Sequence, residues 1–109
     1  MEKYKLDFES LPWETPVPGL RVKTINDGNK QIRLAEFSSV FEESKWCEKG
    51  HVGIVIQGEL EIDFHGTLIQ YSMGNAISIP RGVDHRHKAR SITPTTTLFL
   101  VEEISDGTD

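Results

Sequence analysis

Turn-forming residues punctuate this chain so often that no helix of ordinary length fits between them. Asn26-Asp27-Gly28-Asn29, Gly50, Gly58, His65-Gly66, Gly74 and Pro80-Arg81-Gly82 divide the span after Leu20 into short pieces. None of the pieces combines a 3.6-residue apolar period with adequate length and caps. They read instead as strands: LRVKTI, KQIRLAEFSSV, HVGIVIQG, ELEIDFH, TLIQYSMG, AISIP, DHRHKA and TTTLFLVEEI. The alternation is cleanest in ELEIDFH, where Leu60, Ile62 and Phe64 share one side while Glu59, Glu61, Asp63 and His65 face water. About eight short antiparallel strands with frequent turns indicate an all-β sandwich or barrel, with a jelly roll among the main options.

A chain of 109 residues is most simply one domain, with room for a single core and a modest pocket. Residues 1–19 differ from the rest. Tyr4, Leu6, Phe8, Leu11 and Trp13 lead into PWETPVPG, where Pro12, Pro16 and Pro18 forbid a regular helix and favour an extended path. This segment is expected to be an arm lying across its own domain or against a neighbouring subunit. The barrel then occupies 20–105, and 106–109 is expected to fray.

Composition excludes several classes of function. The formal charge of −5, with no local basic run, leaves no electrostatic footprint for nucleic acid. No apolar stretch approaches the roughly 18 residues of a membrane span, and MEKYKLDFES has no apolar signal region. The single cysteine, Cys47, cannot form an internal disulfide and fits a reducing compartment, so a cytoplasmic location is expected.

Two constellations carry possible chemistry. In GNAISIPRGVDHRHKA, His85 and His87 lie two apart, and on an extended strand they project to one face. Two such imidazoles can begin a metal site for zinc, iron, copper or nickel. They are equally well a solvated pair, given the Arg86 and Lys88 beside them. In WCEKGHVGIVIQG, Cys47 and His51 are four apart across a stretch that can turn, which suits a soft metal pair. The plainer alternative makes Cys47 a small buried hydrophobe and His51 a strand-entrance histidine with a backbone partner.

Taken together, the two segments resemble the paired motifs of the cupin superfamily. The second motif runs glycine, five residues, proline, one residue, glycine, two residues, histidine, three residues, asparagine. Gly74, Pro80, Gly82 and His85 fill it, and Ala89 replaces the asparagine. The first motif closes on Gly58. Counting back puts His51 at the family's glutamate ligand and the two histidines at Lys45 and Cys47, or at Ser44 and Trp46 with the longer spacing. The opening glycine is replaced by Ser39 or Ser38.

The resemblance spans about Leu20 to Ile104 and implies an antiparallel jelly-roll barrel, commonly dimeric, with a divalent metal near its open mouth. Carried over residue by residue, it implies a metal site of Cys47, His51 and His85, with His87 as a possible fourth ligand. The resemblance does not distinguish zinc, iron, nickel and manganese as that divalent metal. His65 is placed on the outward face, and Lys45 and Glu48 are taken as ordinary loop charges.

Two classes of function follow. One is a small metalloenzyme of oxygenase or isomerase type, its metal activating water or oxygen or polarising a carbonyl or enolate oxygen. The other is a non-catalytic module that binds or senses a ligand or metal. Spacing assigns no carboxylate to the barrel interior, so no general base is identified beside the ligands. The expected partners are a small molecule and a second copy of the chain, the latter suggested by the aromatic arm.

Overall fold

The computed structural model describes residues 4–103. Nine strands form two antiparallel sheets: β1 (Glu14–Val17), β2 (Leu20–Asp27), β3 (Lys30–Ser38), β4 (His51–Gln57), β5 (Glu59–Phe64), β6 (Thr67–Ser72), β7 (Ala76–Ile79), β8 (Lys88–Ser91) and β9 (Thr95–Glu103). The larger sheet has the order β1-β2-β3-β9-β4-β7 and the smaller β6-β5-β8. Their inner faces enclose one core, to which the larger sheet contributes Ala35, Val55 and Leu98 and the smaller Leu60 and Ile62. This is the all-β jelly roll that the strand pattern predicts. No helix among the described residues is long and apolar enough to cross a membrane.

Strand alternation explains what reaches the interior. On β9, Thr96, Leu98, Leu100 and Glu102 are buried, while Thr97, Phe99 and Val101 are only partly covered. The inward row therefore runs from a hydroxyl at one end to a carboxylate at the other, about 20 Å apart along the strand. The same parity on β3 turns Arg33, Ala35 and Phe37 inward, beside Leu100 and Leu98 of β9. On β4 it turns His51, Gly53 and Val55 inward. Gly53 is needed here, because a Cβ on it would lie 2.0 Å from the carbonyl oxygen of Phe99.

The arm folds onto its own domain. β1 pairs with β2 at the edge of the larger sheet, where the missing N–H groups of Pro16 and Pro18 cost least. Trp13 lies under the guanidinium of Arg21 at 4.2 Å and the ammonium of Lys23 at 4.9 Å. Phe8 meets Phe99 edge-on at 6.3 Å, and Lys23 donates to the Phe8 carbonyl. The expected fraying of 106–109 falls outside the described residues.

One segment departs from the strand reading. DHRHKA is not a single strand, because Val83–His85 forms a 3-10 turn and β8 begins only at Lys88. The His85 N–H bonds to the Gly82 carbonyl and the Arg86 N–H to the Val83 carbonyl.

A hydroxyl cluster closes the barrel end remote from Glu102. Thr96 is fully buried and donates to the Glu59 carbonyl at 2.7 Å, with Ser91 Oγ 2.6 Å away. Thr96→Val keeps the shape but removes the hydroxyl's bonds to the Glu59 carbonyl and to Ser91, leaving that carbonyl with the Ile92 N–H alone. Urea denaturation should show a loss of about 0.5–1.5 kcal/mol; unchanged stability would mean the cluster does not hold β5 to β9.

Candidate metal centre

The chain reaches the centre by two irregular segments and one strand end. After β3 the loop of residues 39–50 crosses the barrel mouth, and its middle is tied down by Cys47. The Cys47 N–H donates to the His87 carbonyl at 2.8 Å, and the His87 N–H donates back to the Cys47 carbonyl at 3.0 Å. Residues paired this way in an antiparallel bridge carry their side chains to the same side. The thiol and the imidazole are therefore neighbours by backbone pairing, although 40 positions separate them in sequence. Four residues later the chain enters β4, and inward parity brings His51 to the same place.

Cys47 Sγ lies 3.6 Å from His51 Nε2. One donor atom each from Cys47, His51 and His87 lie within 4.8 Å of one another. The His51 and His87 rings are 5.1 Å apart and nearly perpendicular, at 79°. Such a gathering suits a shared ion better than ring stacking, provided that each nitrogen offers a lone pair.

Both imidazoles are held by their other nitrogen. His87 Nδ1 lies 2.9 Å from the His85 carbonyl, so a neutral ring donates there and keeps its Nε2 lone pair. His51 Nδ1 is in direct contact with Glu102 Oε2, leaving Nε2 directed to Cys47. Glu102 is itself held by Arg33 Nη2 at 2.8 Å. A carboxylate or carbonyl behind each ligating histidine is the usual outer support of a metal site.

The four residues singled out in the sequence thus divide. Cys47, His51 and His87 come together. His85, the direct motif match, is exposed in the 3-10 turn and contributes its carbonyl to His87 rather than its ring to the cluster. The shared-face argument fails because residues 83–85 are not extended. His65 is exposed at a hairpin turn with φ 42°, and Lys45 and Glu48 are exposed loop residues.

Three charged residues near the site were not found by sequence reasoning. Arg33 and Glu102 sit in ordinary alternating strands, and only the pairing of β3 with β9 joins them. Glu43 lies in the polar loop, where its Oε1 accepts from the Ala89 N–H at 2.7 Å. Inward parity on β9 was a usable signal for Glu102; no local signal marks Glu43.

Electrostatics follow from this burial. Desolvation pulls the His51 pKa down, but hydrogen bonds to Cys47 and Glu102 and the Glu102 charge outweigh it, and the net shift is upward. Desolvation raises Glu102, but His51 and Arg33 reverse it and hold the carboxyl low. For Glu43 desolvation wins, and its pKa is raised despite the Ala89 bond and the nearby histidines.

A cavity of about 250 Å³ opens from the three donors into the barrel, lined also by Arg33, Glu43 and Lys49 and floored by Phe37, Phe41, Leu60 and Leu98. A larger hollow of about 590 Å³ lies beside it at the strand ends, lined by Lys30, Lys49 and Arg81 among others. The smaller cavity is the one that Cys47 and His87 line.

No protein-family model matches this chain, and no curated protein matches it in sequence. Solved structures do match in fold. KdgF from Halomonas sp. superposes with a TM-score of 0.75 at 19% identity, over 88% of this chain and 90% of that one. An RmlC-like cupin from Shewanella frigidimarina gives 0.75 at 13% identity over 97% and 95%. A cupin-superfamily sugar phosphate isomerase from Silicibacter pomeroyi gives 0.74 at 16% over 91% and 74%.

Titration tests the His51 environment. In metal-free protein the His51 ring, followed by NMR, should titrate above the ordinary 6.5, and Glu102→Gln should bring it down. His51 has a raised folded pKa, so its stabilising contribution is complete below about 6.5 and lost as pH rises through the folded value. Glu102 has a lowered one, so its contribution is complete above about 4.5 and lost as pH falls through the folded value. An unshifted His51 would break the assigned contact.

Proposed function

From a chain that is a small cupin domain by fold, we propose a protein that holds a divalent metal on Cys47, His51 and His87 and binds a small molecule in the adjoining cavity. The observation that carries this reading is the outer support of both imidazoles, Glu102 behind His51 and the His85 carbonyl behind His87. Each leaves its other nitrogen with a free lone pair in the cluster, and a thiolate with two imidazoles suits zinc better than an oxygen-activating iron. Three protein donors leave a coordination position for a ligand. A metal bound there supplies Lewis acidity toward an oxygen of that ligand.

Between enzyme and binding module, Glu43 favours the enzyme. It is a carboxyl lining the same cavity, anchored through one oxygen and carrying a raised pKa from burial. Such a group holds its proton more readily than an ordinary carboxyl, a property an isomerase-type reaction can use in a general acid.

Elemental analysis of protein purified without added metal checks the ligand set. Near-stoichiometric divalent metal is expected, with most of it lost in His51→Ala and His87→Ala and retained in His85→Ala and His65→Ala. Bound metal should also slow alkylation of Cys47. Loss in His85→Ala equal to that in His87→Ala would remove the assignment.

The second copy of the chain expected as a partner finds support on the outer face of β4. Val52, Ile54 and Ile56 are 59%, 41% and 45% exposed there, next to the edge strand β7. A homodimer through this face would bury that row. Ile54→Glu should then shift sedimentation from dimer to monomer, and an unaltered dimer would place the contact elsewhere.

A further inference from the structure

The walls of the inner cavity choose among ligands. Among the described residues its lining includes no serine, threonine, asparagine, glutamine or tyrosine. The polar groups gather at one end, with Cys47, His51, His87, Arg33, Lys49 and Glu43, while Phe37, Phe41, Leu60 and Leu98 line the remainder. A hydroxyl carried into that apolar part would lose water and find no partner, at about 1–3 kcal/mol each. Sugars and their phosphates carry several such hydroxyls.

Charge at the polar end is also selective. Arg33 is matched by Glu102 at 2.8 Å, and Glu43, the carboxyl that lines the chamber, is tied to the Ala89 N–H. Lys49 makes no direct ion pair among the described residues and stands exposed at the mouth. A divalent ion on one thiolate and two neutral imidazoles leaves one positive charge unmatched, which suits a single negative charge. The volume, about 250 Å³, is below the usual range for drug-sized ligands of roughly 300–1,000 Å³.

We propose that the cavity takes a compact monocarboxylic acid with an apolar body, its carboxylate at the metal and Lys49 and its hydrocarbon part against Phe37, Phe41 and Leu98. This rests on the metal reading for the charge but not for the apolar floor. It separates the chain in substrate class from the sugar phosphate isomerase that shares its fold.

Calorimetric titration of zinc-loaded protein with three probes tests it: 3-methylbutanoate, the uncharged 3-methylbutanamide, and glycerate, which has as many heavy atoms as the first but two hydroxyls. Saturable binding of 3-methylbutanoate at one per chain is expected, at least tenfold tighter than either other probe. Lys49→Gln, a change at an exposed position, should weaken it severalfold without altering zinc content. Glycerate binding as tightly as 3-methylbutanoate, or no saturable binding of 3-methylbutanoate, overturns the proposal. Zinc content measured on the same samples separates the two readings: failure to retain zinc sinks the metal site, while the order of the probes judges the apolar chamber, in metal-free protein if need be.

Discussion

Two hydrogen bonds between the backbones of Cys47 and His87 hold the candidate site together. Neither residue belongs to a regular strand, so no sheet ladder would keep them in place. The bridge fastens the loop of residues 39–50 to the segment leading into β8, and the Glu43 carboxylate adds a third tie at the Ala89 N–H. Without that fastening, the thiol would ride on a mobile loop and His51 alone would remain anchored in the barrel. The donor set is therefore built from one rigid element and two pinned ones, an economical way to place side chains that the strands cannot reach.

What the sequence revealed and what it hid follow from this construction. Turn residues and alternation were enough to recover the strands of the barrel, because each is dictated within a few residues of itself. The site was only half legible. Cys47 and His51 are close in sequence, and a motif resemblance drew attention to the second segment, but it favoured His85 over His87. The face rule for residues two apart holds only for extended backbone, and Gly82 (φ 128°) instead opens a 3-10 turn. That turn rotates His85 outward and leaves its carbonyl, not its ring, to serve the site. Arg33 and Glu43 were invisible for another reason, and Glu102 was marked only by its inward parity on β9: the role of all three exists only through pairing between remote strands or with a remote N–H.

The Arg33–Glu102–His51 chain runs along the inside of the larger sheet, and its cost is a clue to its purpose. Burying a carboxylate and a guanidinium is rarely a net gain over apolar residues of similar size. Leu or Met at 33 and 102 would extend the core already formed by Ala35, Leu98 and Leu100. The charged pair instead orients His51 and fixes which of its nitrogens carries the proton. The raised His51 pKa is the other face of the same arrangement: the carboxylate steadies the imidazolium, and it would equally strengthen the neutral ring's donation to a cation in the proton's place.

Sharing a barrel with KdgF, an RmlC-like cupin and a sugar phosphate isomerase says little about what this barrel receives, since fold and chemistry part company across large fold groups. The decision lies in the lining. Inward-facing positions on β3, β5 and β9 could have carried hydroxyls, as the far end of β9 does at Thr96. That hydroxyl cluster is spent on the protein's own carbonyls, while the cavity-facing positions of β5 and β9 are leucine and isoleucine and β3 adds Phe37 beside Arg33. Polarity inside this cavity is therefore concentrated at the end of Cys47, His51 and His87. The same division explains how the Cys47, His51 and His87 cluster and the core coexist in so small a chain: the cavity floor is the hydrophobic core itself, left incompletely filled beneath His51.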